Sequence, residues 1–96
     1  MFRRGTLGRG AKFVDSPNMW LGRVSTAEGF VQAYVKLQPY NQFVAESVCA
    51  WFLRTIGVPT PEPFWIAVYK QVLPAYPSWD KNETMRVCFG TEALPA

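Results

Sequence analysis

Residues 30–63 read FVQAYVKLQPYNQFVAESVCAWFLRTIGVPTPEP, and this stretch holds the strongest structural signals in the chain. Within Phe30–Leu37, Val31, Ala33, Val35 and Leu37 fall on one face, and Phe30, Gln32, Tyr34 and Lys36 on the other. A period of two with apolar groups on both faces predicts an interior strand. Pro39 ends the ladder because it has no N–H to offer, and Asn41 stands where a helix cap is wanted. Gln42–Ile56 then has helical spacing, placing Val44, Ala45, Val48, Cys49, Trp51, Phe52 and Ile56 on one broad arc. That is the pattern of a helix packed along its apolar side. Gly57 suits the turn out of the helix, and Pro59 prevents its resumption.

Working outward, Met19–Val24 is strand-like and Ser25–Gly29 is a turn, so this segment and Phe30–Leu37 form a β-hairpin. Ala11–Val14 reads as a short strand before the turn cluster Asp15-Ser16-Pro17-Asn18. Downstream, Thr60-Pro61-Glu62-Pro63 is a stiff extended connector. Phe64–Tyr69 reads as a buried strand, the prolines and polar residues up to Thr84 as irregular, and Met85–Phe89 as a last strand. This order predicts an α+β fold, a small antiparallel sheet with one main helix, about 42–56, packed on it. Met1–Gly10 reads as a flexible basic N-terminus, ahead of a single domain over 11–96.

A chain of 96 residues, 49% hydrophobic and 18% charged, has the composition of one folded domain. Aromatics at 16% give such a small core a large buried area per residue. The net charge of +3 comes from the start of the chain, at Arg3, Arg4, Arg9 and Lys12. No basic or aromatic stripe continues it along a path for a phosphate backbone, which argues against nucleic acid as partner. There is no histidine, and Cys49 and Cys88 lie far apart, so a zinc site lacks ligands. Cys49 lies within the apolar helical pattern and reads as a buried free thiol, with one disulfide left open. Met1–Lys12 lacks the apolar stretch of a signal peptide. Phe43–Leu53, interrupted by Glu46 and Ser47, is too short to span a bilayer. A cytoplasmic protein without membrane contact is the expectation.

Lys36 and Glu46 are ionisable residues at positions where apolar ones would be easier to place. A strand, a short turn and a helix bring the two within reach of each other. A lysine that holds nucleotide phosphates needs a carboxylate to fix its long side chain and keep it charged. Spacing alone fits better a snorkelling lysine and a solvated glutamate at a helix boundary.

The runs Tyr34-Val35-Lys36-Leu37, Phe43-Val44-Ala45-Glu46-Ser47-Val48 and Ile56-Gly57-Val58-Pro59-Thr60-Pro61-Glu62-Pro63 together resemble the HipA-like kinase family. Phe89-Gly90-Thr91-Glu92 is similar to a later segment of that family, and the resemblance covers about residues 20–92. It implies a kinase small-lobe-like fold in which Lys36 meets ATP phosphates and Glu46 is its helix partner. It further implies that Val35 and the Phe64–Val68 strand help wall an adenine pocket.

Magnesium ligands and the carboxylate that orients a hydroxyl nucleophile would come from a second lobe. The aspartates here are Asp15 and Asp80 alone, and Gly8–Asn18, where a phosphate-gripping loop is expected, carries Asp15 and Pro17. The implied function is a truncated or split HipA-like Ser/Thr kinase small lobe. It would contact ATP through Lys36 and Glu46, hold no metal itself, and need a protein partner for catalysis. The alternative is a non-enzymatic protein-binding module or inhibitor, of the kind a phage or mobile element encodes, presenting Trp65, Tyr76 and Trp79. A generic α+β domain is a third reading.

Overall fold

The structure is a computed structural model that describes residues 2–15 and 18–93. Six strands and one helix follow in the order β1 (Arg3–Leu7), β2 (Lys12–Asp15), β3 (Met19–Thr26), β4 (Gly29–Lys36), α1 (Tyr40–Thr55), β5 (Pro63–Tyr69) and β6 (Met85–Glu92). The strands run β1-β5-β6-β4-β3-β2 across the sheet, and β1 also pairs with β3. That extra pairing closes five strands into a small barrel and leaves β2 appended outside the ring. All neighbours are antiparallel except β1 and β5, which are parallel.

Closure follows from the alternation of the strands. Val24, Ala33, Val35, Leu37, Phe64, Ile66 and Val68 each have no exposed surface and meet inside the ring. Each of these side chains larger than Ala33 contributes about 1.5–3 kcal/mol relative to exposure. Two strands approach closely at Gly90, where a Cβ would lie 2.6 Å from the Tyr34 carbonyl oxygen and 2.5 Å from Ile66 Cδ1. Only glycine fits there without moving backbone.

The expected α+β arrangement, an antiparallel sheet with helix 42–56 packed on it in the manner of a kinase small lobe, is therefore corrected. The sheet closes on itself, so its inner face is filled by its own side chains and offers no seat for a helix. The helix forms nearly where expected, but Val48, Trp51, Phe52 and Ile56 on its apolar arc are 53–58% exposed, and Ser47 is its buried residue. Cys49 is exposed rather than buried, and both cysteines are free.

The segment 1–10, read as flexible, contains β1. Arg3 explains why: its guanidinium donates to Glu28 and Glu62 at 3.1 Å each, lies 3.6 Å from Glu92, and stacks 4.6 Å over the Phe64 ring. A basic residue that reads as solvated from local sequence is thus held by three acids that are distant along the chain. Leu7 completes the strand by pointing into the core, 1% exposed.

The helix ends differ in kind. Pro39 precedes α1 with no side-chain cap, and Asn41 falls inside the first turn. At the other end Gly57, at φ +85°, donates to the Arg54 carbonyl at 3.2 Å, and Val58 donates to Leu53 at 2.9 Å. This is a Schellman stop, which the Gly57 expectation anticipated. The β3–β4 hairpin turns through Ala27 and Glu28, tighter than the Ser25–Gly29 turn expected, with Thr26 Oγ1 donating to the Gly29 carbonyl at 2.8 Å. Part of the expected cluster Asp15–Asn18, residues 16 and 17, lies outside the described residues.

Candidate functional site

Lys36 is the last residue of β4, a strand flanked by β3 and β6. Val35 and Leu37 point into the barrel, so strand alternation turns Lys36 outward, toward α1. Only Leu37, Gln38 and Pro39 separate strand from helix. This short link holds the second turn of α1 beside the strand end. Lys36 Nζ donates to Glu46 Oε1 at 2.8 Å, with the two side chains 36% and 31% exposed. A pair this wet contributes at most about 1 kcal/mol to stability, so its geometry says more than its energy.

The second carboxylate oxygen, Glu46 Oε2, is buried and has no hydrogen-bond partner among the described residues. Glu46 and Thr60 both border a recess of about 300 Å³, floored by Leu53 and Phe89, and the Thr60 hydroxyl is likewise buried without a partner. Cys49 opens onto the same recess. The site therefore offers one ammonium fixed by a carboxylate. A cation fixed by a carboxylate can bind and orient an anion. No histidine exists in the chain to act as a base for a nucleophile.

The structure brings together Lys36 and Glu46, the two residues singled out for nucleotide contact. Of the adenine walls that the resemblance implied, Val35, Phe64, Ile66 and Val68 have no exposed surface and face the barrel interior, whereas Trp65 of the same strand faces outward and lines two recesses beside α1. Part of Gly8–Asn18 is the ordered strand β2 rather than a loop rich in free N–H groups. Asp80 stands in a turn in which its N–H donates to Glu83 Oε1 at 3.1 Å and Glu83 N–H donates back to the Asp80 carbonyl.

Tyr76 and Trp79, expected as exposed docking aromatics, are instead part of a polar clasp. Tyr76 is 4% exposed and meets Trp79 edge-on at 5.5 Å, and Trp79 Nε1 donates to the Leu73 carbonyl at 2.8 Å. Arg86 donates to both oxygens of Glu83, at 2.7 and 2.8 Å, and to the Tyr76 hydroxyl at 3.2 Å. The paired guanidinium pulls the Glu83 carboxyl below its ordinary range. A wider recess of about 610 Å³ lies between this clasp and the start of α1. Its one guanidinium is already engaged by Glu83 and Tyr76.

Sequence reasoning missed this clasp and the Arg3 hub. The Glu83–Arg86 spacing of three was visible, but nothing local shows that Tyr76 and Trp79 fold over it. Trp65, the third expected aromatic, is half-buried and donates through Nε1 to Ser47 Oγ at 3.1 Å. It is thus a second anchor between the barrel and α1. Among the described residues, no helix is long and apolar enough to cross a membrane. Comparisons with protein-family models, with curated proteins and with solved structures find no match to this chain.

Proposed function

We propose that this chain is the lysine- and glutamate-bearing part of a HipA-like kinase assembly, in which Lys36 reaches a nucleotide phosphate and the magnesium ligands come from outside these residues. The 2.8 Å contact between Lys36 and Glu46 supports this reading, because the family resemblance named both residues and the fold brings them together. Glu46 fixes the lysine while its side chain stays partly open to solvent, as a phosphate contact needs. In this role the chain is not an enzyme alone and works with a protein partner. A thermal-shift assay with ATP and magnesium, on wild type and Lys36→Ala, tests it. Nucleotide that binds the folded state raises the melting temperature by mass action. No shift in the wild type would overturn the reading.

A second reading is a non-enzymatic docking module, and one observation favours it. The apolar residues of α1 stand open to solvent on a helix with almost no charge. Exposed contiguous apolar surface of this kind marks partner sites. Failure of ATP to bind, with retained partner binding, would select this reading over the first.

A further inference from the structure

Two recesses adjoin where α1 meets the outer face of the barrel, of about 390 and 360 Å³, sharing Phe2, Trp51 and Trp65. Tyr40, Val44 and Val48 extend the larger one along the helix at intervals of four, which puts them on one ridge. Tyr40 is 79% exposed, Val48 57% and Trp51 58%. Trp65 cannot rotate to cover them, because its indole N–H is tied to Ser47 and its ring is flanked by Phe2 at 5.2 Å and Phe43 at 5.9 Å. The result is an apolar groove with Trp65 held in place as one wall.

Among the described residues, charge around the groove has one sign: Arg54 lines the smaller recess and no acidic side chain lines either one. Arg4 is exposed and lies directly across from Trp65 in the parallel β1–β5 register, so it rims the same outer face. The one acidic residue of α1, Glu46, is engaged with Lys36. Tyrosine, tryptophan and arginine are also the residue types that dominate binding energy at interfaces.

We infer that this groove docks an acidic amphipathic segment of a partner protein, with apolar side chains seated between α1 and Trp65 and carboxylates turned toward Arg54 and Arg4. The inference rests on the reading above that the chain works through a partner, and it names that partner's chemistry. A second copy of this chain is a poorer occupant, because it would bring Arg54 and Arg4 against their own like charges.

Panning a random library of displayed peptides on the wild-type protein tests the inference. The enriched peptides are synthesised and their affinity measured by fluorescence anisotropy. Enriched sequences are expected to combine Phe, Leu or Trp with Asp or Glu. Their affinity should fall at least about 10-fold in Trp51→Ala and in Arg54→Glu, and should weaken with added salt. Both side chains are surface groups, and an unchanged melting temperature in each variant shows the fold intact. Peptides that are basic or neutral, or that bind both variants as they bind wild type, would overturn the inference. So would concentration-dependent dimerisation abolished by Trp51→Ala, which would assign the groove to a second copy. The ATP shift is read separately: its absence alongside acidic peptides that depend on Trp51 and Arg54 removes the nucleotide role and leaves the docking face.

Discussion

Lys36 Nζ and Glu46 Oε1 lie 2.8 Å apart, joining the end of β4 to the second turn of α1. Among the described residues, this bond and the one from Trp65 to Ser47 are the side-chain hydrogen bonds that tie the helix to the barrel. The helix is otherwise held by apolar contact around Phe43 and Trp65. Its position, and with it the setting of the lysine, thus depends on few groups.

Trp65→Phe removes the indole donor to Ser47 while keeping most of the ring. A net loss of about 1–3 kcal/mol is expected, because the buried Ser47 hydroxyl is left without its donor. Urea unfolding followed by circular dichroism measures it. No change would mean that Ser47 is equally well served by water.

Gly90→Ala is expected to be far more damaging than its size suggests. The new Cβ meets the Tyr34 carbonyl and Ile66 at distances that real side chains do not adopt. Forcing β6 away from β4 and β5 costs about 1–3 kcal/mol or more, as overpacking does elsewhere. A urea midpoint equal to wild type would show that the strands are not held in this close register.

Glu83 carries a pH signature. Its folded pKa is depressed, first by the hydrogen bonds from Arg86, so its stabilising contribution is present above the ordinary carboxyl range. The contribution is lost as pH falls through the depressed folded value. Melting temperature measured from pH 7 to pH 3 should therefore fall on acidification, and Glu83→Gln should flatten that fall. Parallel curves for the two proteins would contradict the clasp.

The two thiols should separate in reactivity. Burial pushes the Cys88 thiol up to about 12, whereas Cys49 is exposed on the helix. A thiol reagent at pH 8 should label one cysteine in the native protein and both in denaturant, with Cys49 found by mass spectrometry. Fast labelling of both in the native state would show that β6 opens readily.

The stretch 30–63 was legible because its signals are local. Alternation set the faces of β4, Gly57 set the end of α1, and both follow from backbone rules that need no tertiary context. The Lys36–Glu46 contact was legible for a related reason, since only three residues link strand to helix. Closure of the barrel was not. It depends on β1, whose Arg3-Arg4-Gly5 start reads as solvated until Glu28, Glu62 and Glu92 are brought around Arg3. The burial of the α1 arc was misjudged because periodicity shows that a helix has an apolar side, but not whether anything covers it. The strands filled their own core, and α1 was left with its side open.

The most direct measurement for the nucleotide role is titration of wild type and Lys36→Ala with ATP and magnesium, read by melting temperature and by calorimetry. The melting temperature of the wild type should rise with ATP, and the rise should be lost in Lys36→Ala and reduced in Glu46→Ala, where the ammonium is no longer held. An unshifted wild type, or an equal shift in Lys36→Ala, would contradict the nucleotide role.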